Sequence, residues 1–201
     1  MIAIIDYGVG NIKNVYKAFK GLDLDVIVTS DKSVINDSSV IVLPGVGAYK
    51  DAMDNLNKHN LIDCIKENAN KGKLLFGICL GMQLLFEKSY EDGEWDGLGL
   101  LEGEIVRFKN HLKVPQMGWN KIIKSKNDDI AKGINDGEYV YFVHSYYLKP
   151  KHEEDVICWT NYGTRVPAIV RKDNIIGMQF HPEKSGKTGM KLLWNIKEMI
   201  K

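Results

Sequence analysis

Cys79 has the setting in this sequence that most invites chemistry. It stands in Gly77-Ile78-Cys79-Leu80-Gly81, after the apolar run Leu74–Phe76 and before a helical pattern through Lys88. A nucleophile flanked by glycines at this spacing marks a sharp strand-to-helix turn, the nucleophile elbow. Such a turn strains the nucleophile's backbone and needs small neighbours two residues away. It lifts the thiol to the carboxyl end of a sheet and aims the next helix's N-terminus at the sulfur, which favours thiolate. It also brings the N–H of Leu80 to where an oxyanion would form. Cys64 and Cys158 fall on apolar faces and read as packing residues.

A thiol that attacks an amide needs a base, and the base needs an orienting partner. Of the five histidines, His59, His111 and His152 lie in polar stretches, and His144, which ends Tyr139–Val143, is a fair candidate. His181 is the better one, because it ends the apolar run Ile175–Phe180 and precedes Pro182-Glu183. A residue before proline is held extended, so positions 181 and 183 face the same side of the chain. Glu183 can then accept from the imidazole and fix its tautomer, leaving the other nitrogen to face a thiol. A third segment, Pro44-Gly45-Val46-Gly47-Ala48, ends the run Val40–Leu43. A glycine turn there can offer a second oxyanion donor.

All three segments fall at predicted strand ends, the edge where open α/β sheets bind ligands. The elements behind them are short apolar runs alternating with helical spacing. Ile2–Ile5, Asp25–Thr29, Val40–Leu43 and Leu74–Phe76 read as strands. Ile12, Val15, Tyr16 and Phe19 make one helical face, and Ala48–Ala69 reads as two helices broken near His59-Asn60. This alternation predicts an α/β fold with a mostly parallel open sheet flanked by helices. In the second half, Ile105–Phe108, Lys121–Ile123, Tyr139–Val143, Asp155–Trp159, Ala168–Arg171 and Ile175–Phe180 read as strands without helices between them. They predict an added antiparallel layer. Gly186–Lys201 closes the chain as a helix with Leu192, Leu193, Ile196, Met199 and Ile200 on its apolar side.

Composition bounds the rest. The 201 residues suit one domain, expected to span 1–201, and carry 27 Lys+Arg against 26 Asp+Glu. That balance gives no electrostatic footprint for nucleic acid or an anionic membrane. No apolar run approaches the ~20 residues of a membrane span, and Met1–Ile5 lacks a signal peptide's basic start. Three cysteines without C-x-x-C spacing argue against a disulfide framework or a zinc site, so a cytoplasmic setting is expected. Gly8-Val9-Gly10 lacks the third glycine of a dinucleotide fingerprint, Lys13 standing in its place. No cofactor or metal is called for.

Taken together, these segments resemble the class I glutamine amidotransferases, the Cys-His-Glu glutaminases. The resemblance runs end to end, through Asp6-Tyr7-Gly8-Val9-Gly10-Asn11, Pro44-Gly45-Val46-Gly47, Gly77 to Gln83, Pro115-Gln116-Met117-Gly118-Trp119-Asn120, His144-Ser145-Tyr146 and Gln179 to Ser185. It is similar in particular to the branch whose members feed ammonia to a (β/α)8-barrel cyclase making imidazole glycerol phosphate and aminoimidazole carboxamide ribotide in histidine biosynthesis. The resemblance implies that Cys79 attacks glutamine and forms a thioester, with His181 as base and Glu183 as its orienter. Leu80 with Val46 or Gly47 would form the oxyanion hole, and Gln83, Ser145 and Tyr146 would hold glutamine. Asn11, Gln116, Met117, Gly118, Trp119, Tyr141 and Lys184 would face the partner. Other acceptors of the ammonia, and a cysteine peptidase or γ-glutamyl hydrolase on a similar sheet, stay open on the residues alone. A degenerate scaffold is disfavoured by the complete triad.

Overall fold

Ile2-Ala3-Ile4-Ile5 has no polar residue on either side, as a strand covered on both faces requires. In the computed structural model, which describes residues 1–109 and 112–200, all four are buried. Ala3 and Ile5 point into one apolar cluster, Ile2 and Ile4 into another on the opposite face. His111 and Lys201 lie outside the described residues.

The first half runs β1 (Ile2–Ile5), α1 (Ile12–Lys20), β2 (Val26–Thr29), α2 (Lys32–Asp37), β3 (Val40–Gly45), α3 (Tyr49–Lys58), α4 (Leu61–Asn70), β4 (Leu74–Cys79) and α5 (Leu80–Gln83). The second half runs β5 (Lys88–Ser89), β6 (Trp95–Asp96), β7 (Gly103–Arg107), β8 (Gln116–Lys121), β9 (Ile123–Lys124), β10 (Tyr139–His144), β11 (Tyr146–Pro150), β12 (Val156–Asn161), β13 (Arg165–Lys172), β14 (Ile175–Met178) and α6 (Gly186–Met199). The main sheet has the order β2-β1-β3-β4-β14-β13-β12-β9. It is parallel from β2 to β14 and antiparallel beyond. Two smaller antiparallel groupings, β10-β8 and β11-β7-β5-β6, form the added layer, with one parallel pair, β5 to β7.

Helices cover both faces of the main sheet. Ile35 of α2, Leu56 of α3 and Leu61 and Ile65 of α4 pack on one, and Val15 and Phe19 of α1 with Leu192, Leu193 and Ile196 of α6 on the other. The expected break between α3 and α4 falls at His59-Asn60, where Asn60 takes φ of 54°.

Several expectations need correction. The helical pattern from Cys79 to Lys88 yields only one turn, Leu80–Gln83. Leu84, Leu85 and Phe86 are buried, and the amides of Leu98, Leu100 and Gly99 take their carbonyls. That stretch is apolar on every side and is stitched to a loop instead of continuing a helix. Lys121–Ile123 is two strands, because Ile122 turns inward between β8 and β9. β14 stops at Met178, two residues short of Phe180. The helix α2, capped by Asp31 through the Ser33 amide, and the strands β5, β6 and β11 carry patterns too short for periodicity to reveal.

Candidate active site

Cys79 ends β4 with φ of 55° and ψ of −111°, a conformation an L-residue rarely adopts and one that stores strain. The surroundings explain its glycines. A Cβ on Gly81 would come within 1.8 Å of Leu43 O, and one on Gly77 within 2.7 Å of Gly81 O. Gly45 pairs with Cys79 across β3 and β4, so the glycine segment and the thiol share one sheet edge. The Tyr7 hydroxyl donates to Pro44 O at 2.6 Å and anchors that segment. Burial, then the charge of Cys79, pushes the Tyr7 phenol well above its ordinary value, so Tyr7 stays a neutral donor beside the sulfur.

The candidate base, His181, follows the neighbouring strand β14 by three residues. His181 is bonded through its N–H to Tyr141 O at 3.0 Å, and the Ser185 hydroxyl donates to His181 O at 2.6 Å. One turn of 3-10 helix, Pro182–Lys184, swings Glu183 back beneath the ring. His181 Nδ1 and Glu183 Oε1 lie 2.9 Å apart, with both side chains almost wholly buried. His181 Nε2 is buried without a partner in the described chain. Burial works against a charged ring, but Cys79 and Glu183 outweigh it and hold His181 at about 9, above its ordinary value. The ring therefore carries its proton at neutral pH. The positive group beside the sulfur is this imidazolium, because a one-turn helix has little dipole to offer.

Cys79 and His181 open into a cavity of about 290 Å³, lined also by Val46, Gly47, Leu80, Gln83, Glu91 and Ser145. His144, the other histidine of the sequence reading, lines it too, but its role differs. Its Nδ1 is 2.8 Å from Tyr146 O, which fixes the proton on Nδ1. Burial first, then the nearby His181 charge, pulls it down to about 4, so it is neutral where His181 is charged.

Residues 3–197 match the family Glutamine amidotransferase class-I. The chain belongs to the class I glutamine amidotransferases. Within them it belongs with the HisH subunits. It is 48% identical over 201 residues to "Imidazole glycerol phosphate synthase subunit HisH" of Caldanaerobacter subterraneus subsp. tengcongensis, covering 100% of this chain and 99% of that protein. It is 49% identical over 201 residues to the protein of the same name from Oceanobacillus iheyensis, covering 100% of both. The fold is shared more widely. "Structure of PurLQS from Thermotoga maritima" superposes with a TM-score of 0.77 at 22% identity, covering 100% of this chain and 98% of that one. "Crystal structure of glutamine amidotransferase" gives a TM-score of 0.77 at 17% identity, covering 98% of this chain and 100% of that one.

In this amidotransferase chain most of the remaining sequence-derived positions fall into two places, with Asn11 at the head of α1 and Lys184 in the turn after His181 outside both. Gln83, Ser145 and Tyr146 line the cavity. The carbonyl of Tyr146 is engaged by Gln83 and His144, and that of Ser145 accepts from Phe108 N. Glu91 also lines the cavity and is absent from the sequence reading. Its Oε2 accepts from Tyr49 N at 2.9 Å at the start of α3, a contact 42 residues back along the chain that no local pattern announces.

The second place is the β8–β10 ribbon. Met117 and Trp119 are 64% and 53% exposed, and Trp119 meets Tyr141 edge-on with ring centroids 5.9 Å apart. Gly118 and Tyr141 are half-buried, Lys184 is exposed, and Asn11 is half-buried at the head of α1. Gln116 departs from this group. It is fully buried, bonded through Nε2 to Asn120 Oδ1, and its side chain forms no part of the exposed surface.

Proposed function

We propose that the chain is the glutaminase subunit of an imidazole glycerol phosphate synthase, with 1–201 as one glutaminase domain. The observation that carries this is the buried Cys79–His181–Glu183 alignment at the mouth of a cavity with a doubly flanked thiol. The family membership supplies the substrate class. Glutamine enters with its side-chain carboxamide at Cys79. Val46, Gly47 and Leu80 line the same cavity, and the backbone N–H of Leu80 with that of Val46 or Gly47 forms the oxyanion hole of this reading, each donor worth about 3–4 kcal/mol.

The charge states order the steps. His181 carries the proton that the leaving nitrogen will need, and Cys79 is the nucleophile that attacks the carboxamide carbon through sulfur. His181 then hands its proton to the departing nitrogen, ammonia leaves, and a glutamyl thioester remains. The ring, now neutral, takes a proton from water, whose oxygen attacks the thioester. Collapse of that second tetrahedral adduct releases glutamate and returns the thiol's electrons to sulfur. Glu183 holds Nδ1 throughout, so Nε2 is always the nitrogen that exchanges the proton. The N–H groups of Ser145 and Tyr146, which line the cavity, suit the α-carboxylate, and Glu91 suits the α-ammonium group.

Free ammonia is protonated in water and stops being a nucleophile, so a shielded route to a synthase makes chemical sense. The exposed Met117–Trp119 ribbon, with Tyr141 against Trp119, is the docking face we assign to a (β/α)8-barrel cyclase, and Asn11 and Lys184 are assigned to it with them. No described helix is long and apolar enough to cross a membrane. A cytoplasmic setting, where the free cysteines stay reduced, fits the reading. An ammonia-release assay with glutamine, with and without the cyclase and its nucleotide substrate, tests it. Slow release alone and faster release with both is the expected result. Release unchanged by the cyclase and its nucleotide defeats the partner assignment, and no release under any condition defeats the activity.

A further inference from the structure

Gln83 and Gln179 form a buried amide pair that the steps above leave unused. Gln83 Nε2 donates to Tyr146 O at 2.9 Å and to Gln179 Oε1 at 3.0 Å. Donors and acceptors here follow from one fixed point. A peptide carbonyl only accepts, so the Gln83 atom facing Tyr146 O is the amide nitrogen. That nitrogen has two N–H bonds, and the second meets Gln179, whose facing atom is therefore oxygen. The carbonyl is fully engaged, since His144 Nδ1 takes its other lone pair at 2.8 Å.

Two consequences follow. Gln83 lines the cavity with both N–H bonds spent, so its free atom is Oε1, which accepts from none of the described residues. Gln179 Nε2, in turn, is buried with no partner in the described chain. A residue that only filled space would not carry that desolvated donor, because an apolar side chain of the same shape avoids the cost. Gln179 is fully buried, lies outside the cavity lining, and is held through its own N–H to Ala168 O at 3.0 Å. It stands two residues before His181, and Gln83 four residues after Cys79.

We infer that Gln179 is a positioning residue that locks the Gln83 amide with its oxygen toward the cavity, making the site select substrates that carry an α-ammonium group. This rests on the glutaminase function proposed above. An ammonium group only donates, and Gln83 receives it as long as its oxygen is the atom on offer. Without Gln179 Oε1, one Gln83 N–H loses its acceptor. The amide then turns that donor toward the cavity, where it opposes the ammonium.

The test compares ammonia release from glutamine and from 5-amino-5-oxopentanoate, which is glutamine without its α-amino group, by the full chain alone and with the cyclase subunit. Gln179→Met keeps the shape and removes the acceptor. It lowers kcat/KM for glutamine by roughly 10- to 100-fold through KM, the value of one hydrogen bond to a charged group, and leaves that for the analogue unchanged. Gln179→Glu, which still offers an oxygen, restores the preference. Adding Gln179→Met to Gln83→Met costs nothing further, because the effect passes through Gln83. If the methionine variant folds poorly, Gln179→Asn draws the oxygen back by one methylene and gives the same selective loss. Equal losses on both substrates, or no loss, overturn the assignment. A natural sequence that releases no ammonia from glutamine overturns the glutaminase reading, and this one with it.

Discussion

His181 Nδ1 and Glu183 Oε1 meet at 2.9 Å although only Pro182 separates the two residues in the chain. The proline makes this possible. It holds His181 extended and then starts the single turn that returns Glu183 to the ring. Replacing Glu183 by Gln keeps the size and removes the charge that helps hold the ring protonated. Glu183→Gln is expected to lower the glutaminase kcat by about 10²–10⁴-fold with little change in KM, the scale on which an oriented general base contributes. The ring's titration should move down from about 9, read by NMR of the imidazole. A variant with full kcat would remove Glu183 from the mechanism.

The same titration sets the alkaline limit of activity. Attack needs the ring protonated to serve the leaving ammonia, so kcat/KM is expected to fall as pH rises through about 9. A profile flat to pH 10 would contradict the charged resting state.

Stability responds to the two histidines in opposite senses. His181 is raised in the folded chain, so its contribution is complete below its ordinary value of 6.5 and is lost as pH rises through about 9. His144 is lowered to about 4, so its contribution is complete above 6.5 and is lost as pH falls toward 4. The acid-side loss from His144 is on the order of 3 kcal/mol at most. Urea denaturation from pH 7 to pH 4 should show it, and His144→Gln should flatten that slope. An unchanged slope would mean that His144 is not the group responsible.

Gly81 carries a different kind of constraint. Its missing Cβ leaves Leu43 O only 1.8 Å from where that atom would stand, and backbone cannot yield as a flexible side chain can. Gly81→Ala therefore forces β3 and the elbow apart. It is expected to lower the melting temperature by several degrees and to abolish alkylation of Cys79 by a glutamine-like chloroketone. Retained stability and labelling would show that the elbow tolerates the shift.

The sequence pointed to the proposed triad because each member is marked locally. Cys79 has its glycines, and His181 closes an apolar run. Glu183 directly follows Pro182, which starts its turn. The parallel half of the sheet was legible for a similar reason, since each strand is apolar on both faces. What escaped depends on distant partners. Glu91 enters the cavity through an amide 42 residues earlier, and Gln83 is aimed by Gln179 from 96 residues later. The one-turn α5 escaped because Leu84, Leu85 and Phe86 look helical until a loop takes their carbonyls. Gln116 escaped because strand alternation buries it between neighbours read as one exposed group.

Cys79→Ala separates the two halves of the proposed enzyme. It removes the only thiol in the cavity, so ammonia release from glutamine should fall to background. Product formed by the cyclase from added ammonium salt should survive, because that route bypasses the thioester. Loss of both would mean that the chain serves the cyclase structurally.

Trp119 tests the docking face. Its exposed indole beside Tyr141 and Met117 has the size and amphipathic character of an interface anchor. Trp119 also sits outside the cavity that holds Cys79 and His181, so its removal should act on association and not on the chemical step. Trp119→Ala is expected to weaken binding to the cyclase by about 2 kcal/mol, roughly thirtyfold in Kd. The loss of stimulated ammonia release should appear at low cyclase concentration and be recovered by raising it, since mass action refills the complex. Titration calorimetry gives the affinity and the ammonia assay the recovery. If stimulation is lost and excess cyclase does not restore it, Trp119 acts on the glutaminase site and the docking assignment fails. If neither affinity nor stimulation changes, the cyclase binds another face of the chain.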